Sequence, residues 1–130
     1  MDYHYSKKTG TSFDDTIRHV TDNLQKEGFG VLTTIDVKAT LKKKLDVDFR
    51  NYQILGACNP KFAHQALTLE PTIGVMLPCN IAVQENENGE VVISAINPME
   101  TMAKSIKNEK LNDVAMEVGT RLRRAVDACP

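Results

Sequence analysis

Two cysteines, Cys58 and Cys79, stand at the mouths of two apolar runs in the stretch QILGACNPKFAHQALTLEPTIGVMLPCNIAV, with His64 between them. A thiol is the most reactive group in this stretch. Cys58 precedes Asn59-Pro60, a pair that opens a helix with Asn as cap and Pro as the first helical residue. Backbone N–H groups and the helix dipole at such an end lower a thiol pKa and favour the thiolate. Cys79 begins an apolar run directly after Pro78. If the strand ending at Cys58 and the strand starting at Cys79 are neighbours, the two sulfurs approach each other. His64, one turn into the intervening helix, is then a candidate third ligand for zinc. The spacing is that of no recognised zinc motif, and the competing interpretation is that both thiols pack as small hydrophobes. Cys58, Asn59, Cys79 and Asn80 are the candidate ligand-binding residues, and Cys129, beside the C-terminus, is expected to be exposed.

Elsewhere the sequence offers little chemistry. His4 falls on an expected strand and His19 faces away from the apolar stripe of an expected helix, so both are given structural or solvent roles. A Cys/His nucleophilic pair would need a third group to orient the imidazole and an oxyanion hole, and no spacing requires Asn59 or Asn80 to supply them. Glu85, Glu87 and Glu90 flank a polar turn. Asp14 and Asp15 are explained by the first turn of a helix, where the dipole favours negative charge. Gly28-Phe29-Gly30 lacks the spacing of a dinucleotide-binding loop and precedes a strand, not a helix. Met76, Met99, Met102 and Met116 could line a flexible apolar pocket or fill gaps in a core.

The elements that must position these residues are read from periodicity. The chain has 130 residues, 42% of them apolar, which suits one domain spanning residues 1–130 with one hydrophobic core. Residues 3–8 alternate as a short strand. A helix follows from a Ser12 cap, with Phe13, Ile17, Val20 and Leu24 on one stripe and Gly28 just beyond its end. Residues 29–37 alternate as a second strand, and 38–45 have helical spacing. Residues 51–59 form a third strand, and a helix from Pro60 buries Phe62, Ala63, Ala66 and Leu67. Pro71 interrupts it, and one further loose turn runs to Pro78. Residues 79–84 and 90–97 make a hairpin around Asn88-Gly89. Residues 98–110 read as a turn or short helix, and a long helix carries Leu111, Val114, Ala115, Val118, Leu122 and Val126 on one stripe. Strands with few crossover helices favour an α+β fold, a mostly antiparallel sheet with helices packed on one face. Val31, Ile35, Ile54, Ile81, Val83, Ile93, Val114, Val118 and Leu122 are expected in the shared core between sheet and helices.

The combination DVKATLKKKLDVDFRNYQILGACNP, then AHQAL, then PTIGVMLPCNIAV resembles the domain of unknown function 302 family of bacteria and archaea over nearly the whole chain. Its most specific part is the pairing of Cys-Asn-Pro at 58–60 with Leu-Pro-Cys-Asn at 77–80. The resemblance implies a fold of the TATA-binding-protein-like group, a curved antiparallel sheet gripping a long C-terminal helix in the order strand, helix, four strands, helix, with an inserted helix. The family carries no agreed activity, so it supplies no catalytic residues.

The formal net charge is −1 with acids and bases interspersed, so no global field recruits nucleic acid or an anionic membrane. The seven aromatics do not interleave with a basic patch, which speaks against single-stranded nucleic acid. No run approaches the roughly 18 apolar residues of a membrane span, and the N-terminus lacks the pattern of a signal peptide. Three cysteines without a CxxC pair fit a reducing compartment, so a cytoplasmic protein is expected. The preferred reading is a small-ligand-binding module with a concave site between sheet and C-terminal helix. The alternatives are a thiol-based redox or metal-binding protein using Cys58 and Cys79, and a structural or assembly domain. Small domains with a free sheet edge commonly pair about a two-fold axis, so a homodimer is expected.

Overall fold

A computed structural model describes residues 2–130. In chain order it runs β1 (His4–Thr9), α1 (Phe13–Lys26), β2 (Gly30–Asp36), α2 (Val37–Leu45), β3 (Tyr52–Cys58), α3 (Pro60–Leu69) and a 3₁₀ segment (Pro71–Met76). It continues with β4 (Cys79–Glu85), β5 (Val91–Ile96), a π-helical turn (Met99–Ala103) and α4 (Lys110–Asp127). The five strands form one open sheet in the order β1-β5-β4-β3-β2, with every pair antiparallel. This is the expected α+β architecture. The expected order also holds, with two inserted helices, α2 and α3, among the four consecutive strands.

Local chemistry accounts for the element ends. Ser12 caps α1 by accepting from the Asp15 N–H at 3.1 Å, with Asp14 and Asp15 in the first turn. Asp36 does the same for α2, accepting from Ala39 N–H at 2.9 Å. In the β4–β5 turn the Asn86 side-chain oxygen accepts from the N–H groups of both Asn88 and Glu90 at 3.0 Å.

One face of the sheet is buried by the amphipathic helices. Ile81, Val83, Val91, Ile93 and Ala95 alternate inward from β4 and β5. They meet Val20 and Leu24 of α1 and Leu111, Val118, Leu122 and Val126 of α4, all buried in one cluster. Two of the residues expected in this core lie elsewhere. The β2–β3 register shifts between Val31 and Thr33, so a β-bulge inverts the alternation of β2 partway along. Val31 faces Ala57 on the helix side, whereas Ile35 faces Ile54 on the opposite, uncovered side. Ile35 is 48% exposed, and Ile54 is half-buried with Ala82 as its β4 neighbour. Val114 is partly buried at the border of the core.

Cys129 is a further correction, being buried instead of exposed. The chain end folds back onto β1. Lys7 donates its ammonium to the carbonyls of Asp127 and Cys129, capping the C-terminal end of α4. Gly10 N–H reaches the carbonyl of Pro130 at 3.0 Å. The Cys129 sulfur is thereby placed 3.6 Å from the Ala125 carbonyl and 3.5 Å from the Asn23 amide.

Close approach also dictates Gly56 on the uncovered face of β3. A Cβ there would collide with the Thr33 hydroxyl and stand 2.7 Å from Cγ of Pro78. Gly56→Ala is therefore expected to destabilise the fold by about 2 kcal/mol, as for other overpacked sites. Urea unfolding of the variant should show a lowered midpoint, part of which Thr33→Ala restores. An unchanged midpoint would contradict the packing described.

Candidate functional site

The site is organised by the residue at which β3 stops. Asn59 sits in extended conformation, and its side-chain oxygen accepts from Phe62 N–H at 3.5 Å, which caps α3 with Pro60 in the first turn. Its amide nitrogen donates to the Glu27 carbonyl at 3.4 Å, at the end of α1. The same carbonyl accepts from Arg121 of α4 at 3.1 Å, and Arg124 pairs with the Glu27 carboxylate at 2.7 Å. These cations satisfy the exposed carbonyl end of α1. Gly28, at φ +88°, lets the chain turn out of α1, and a Cβ there would stand 2.9 Å from the Asn59 amide.

With α3 anchored in this way, α3 and the 3₁₀ segment arch over the adjoining ends of β3 and β4 and lean against α4. Between them lies a cavity of about 320 Å³ with almost wholly apolar walls. Ala57, Cys58 and Cys79 line it from the sheet, Phe62, Ala66 and Ile73 from the arch, and Met102, Leu111 and Val118 from the π-helical turn and α4. Leu32 and Leu67 also line it and are 69% and 41% exposed, so its opening has an apolar rim.

Three of the four candidate binding residues, Cys58, Asn59 and Cys79, share this cavity. Their proximity follows from register, because Ala57 lies opposite Cys79 in the β3–β4 ladder. Asn80 is not among the lining residues. It lies opposite Gly56 and is exposed, since the alternation that turns Cys79 inward turns its neighbour outward. His64 is exposed on α3 and does not line the cavity. The candidate zinc set of Cys58, Cys79 and His64 is therefore not assembled. Among the described residues no group of three or more His, Cys, Asp and Glu side chains could hold a metal ion. Of the four methionines considered, only Met102 lines the cavity, and Met116 is 56% exposed.

The electrostatics of Cys79 run opposite to the expected activation. Burial, reinforced by the neighbouring Cys58, pushes its thiol up from 9.0 to about 11. A sulfur roofed by apolar side chains cannot be solvated as a thiolate, so Cys79 is a neutral thiol near pH 7. Burial also raises the Cys129 thiol, against the opposing influences of Asn23 and Lys7. The expected contrast between reactive inner thiols and an exposed Cys129 has thus lost both of these members.

A raised folded-state pKa of an acid means that the folded chain holds its proton more tightly than the unfolded chain. The stabilisation from a neutral Cys79 is complete below pH 9 and is lost as pH rises toward 11, amounting to about 3 kcal/mol. Thermal unfolding between pH 8 and pH 11 should show a fall in Tm that is shallower in Cys79→Ala. Equal slopes in the two proteins would contradict the assignment.

Comparison with known proteins agrees with this architecture. The family model described as Domain of unknown function DUF302 matches residues 5–129. The crystal structure of an uncharacterized conserved DUF302 protein from Bacillus stearothermophilus is 30% identical, with all of each chain covered and a TM-score of 0.92. No curated protein matches the chain. Among the described residues no helix is long and apolar enough to cross a membrane. The match over nearly the full length, together with the shared fold, means that this chain belongs to the DUF302 family.

Proposed function

We propose that the protein is a binding module that holds one small, predominantly apolar molecule in the cavity between the β3–β4 ends, α3 and α4. The observation that carries this reading is the cavity itself, about 320 Å³ of apolar-walled space behind an exposed rim of Leu32 and Leu67. Its volume is at the lower end of the range for small-molecule sites. The cavity lies between the β3–β4 ends of the sheet and α4, in keeping with a concave site between sheet and C-terminal helix. A fluorescent apolar probe such as N-phenyl-1-naphthylamine should bind with a blue-shifted signal. Ala63→Phe, which places a ring into the cavity from the half-buried face of α3, should weaken that binding at least ten-fold with an unchanged circular dichroism spectrum. Absence of probe binding to the wild-type chain would overturn the reading.

A second copy of the chain is the proposed partner of the β2–α2 side. The two sheet edges differ: β1 carries Lys7 and Lys8, whereas β2 reads Gly-Val-Leu-Thr-Thr-Ile before its first charge at Asp36. Charged residues are a common guard on free edges, and β2 lacks them. Ile35, Leu45 and Val47 are all more than 40% exposed on this side. The adjoining Lys42-Lys43-Lys44 run and Asp46 and Asp48 make a patch of both signs, which suits the self-complementary contact of a two-fold axis. Sedimentation velocity at micromolar concentration should give twice the chain mass. Ile35→Lys with Leu45→Lys should return the monomer mass with the fold intact. A wild-type chain that sediments as a monomer would remove the proposal.

A further inference from the structure

The wall chemistry of the cavity also constrains the ligand, on the premise that the cavity is a binding site. Inside there is little to pair with a charge: the Asn59 amide is engaged at both of its ends, the Cys58 and Cys79 thiols are weak donors, and the remaining walls are almost entirely apolar. A charged group carried into that interior without partners would lose several kcal/mol of solvation. At the wall formed by Phe62, however, two cations stand over the ring that lines the cavity, though neither is itself a lining residue. The Arg121 guanidinium carbon lies 5.2 Å from the ring centroid and the Lys61 ammonium 5.8 Å. Arg121 spends one N–H on Glu117 and one on the Glu27 carbonyl, which leaves further donors on a guanidinium that has five. Among the described residues Lys61 makes no ion pair. No acidic residue occurs on α3 from Pro60 to Leu69, and of the two acidic residues beside Arg121, Glu117 is engaged by it and Glu27 by Arg124.

We infer that the ligand is a single-chain anionic amphiphile, a medium-chain carboxylate, whose hydrocarbon tail fills the cavity while its head is held at the Phe62 end by Lys61 and Arg121. Tail length follows from volume. A cavity of about 320 Å³ is at the lower end of the range for small-molecule sites, which suits one hydrocarbon chain of medium length. A two-chain lipid exceeds that space. The exposed Leu32 and Leu67 at the rim give the tail an apolar entry, and the cations set its orientation.

The test is calorimetric titration of the full chain at low ionic strength with three probes of equal tail length: decanoate, decanol and decyltrimethylammonium. Decanoate should bind at least five-fold more tightly than decanol, with the cationic probe weakest, and added salt should shrink the difference by screening. Lys61→Glu should lower decanoate affinity at least ten-fold, and Lys61→Arg should retain the preference for the carboxylate. If decanol binds as tightly as decanoate, or if Lys61→Glu leaves decanoate affinity unchanged, the inference fails while the apolar cavity stands as a site. If none of the three binds while N-phenyl-1-naphthylamine does, the inference fails and the binding-module reading stands; if that probe also fails to bind, both fall. Anionic vesicles of phosphatidylglycerol form a fourth arm. Capture by vesicles without binding of free decanoate would assign the cations to a membrane surface and overturn the proposal.

Discussion

One side-chain amide carries the geometry on which the cavity depends. Asn59 accepts from the first turn of α3 and donates to the last carbonyl of α1, so two helix ends that would each leave backbone groups unpaired satisfy each other through it. An Asn cap is worth about 1 kcal/mol, and the Glu27 carbonyl is shared with Arg121. The larger consequence is positional. Because the amide joins α1 to the start of α3, Phe62 is held one turn later at the cavity wall, and Arg121, which shares the Glu27 carbonyl, is held over its ring. The end of α1, the start of α3 and the cation over Phe62 therefore meet at one contact.

Small side chains then create the space. Ala57, Ala63, Ala66 and Ala115 face it from three different elements, where longer aliphatic side chains would close it. Protein interiors normally pack to crystal-like density. A sealed, dry void of about 320 Å³ would cost on the order of 8 kcal/mol at the rate measured for engineered cavities, comparable to the whole stability of a domain. Opening to solvent at the Leu32–Leu67 rim relieves that cost by admitting water, but water against apolar walls is itself unfavourable. The arrangement is stable enough to fold and gains from any apolar molecule that displaces that water.

Much of this architecture was legible from local rules, because those rules act over a few residues. Ser12, Asp36 and Asn59 announce helix starts, Asn88-Gly89 announces the hairpin, and the Leu111–Val126 stripe announces which face of α4 is buried. What was not legible depended on contacts between distant segments. The bulge after Val31 has no signature within β2, yet it reverses the face of Ile35. Cys129 reads as a frayed end until Lys7, more than a hundred residues earlier, caps the last turn of α4. One turn of helical spacing after Pro60 puts His64 within reach of the cysteines on the sequence pattern alone. The direction of α3, decided by its packing against α4, turns His64 to solvent.

The fate of the two cavity cysteines follows from the same physics that makes the cavity a ligand site. A thiol becomes a useful nucleophile or metal ligand by shedding its proton, which requires water, a cation or a metal close to the sulfur. Cys79 is 6% exposed among the apolar walls of the cavity, and this burial is the main reason that its proton is held to about pH 11. The helix N-terminus beside Cys58 does not reverse this for Cys79: of its first N–H groups, Phe62 N–H is occupied by the Asn59 side chain and Ala63 N–H by the Asn59 carbonyl. An enclosure apolar enough to favour a hydrocarbon tail is for that reason a poor place for thiolate chemistry. At Cys79 the two functional readings of the cysteine pair compete for one environment, and the environment present favours the neutral sulfur as a wall.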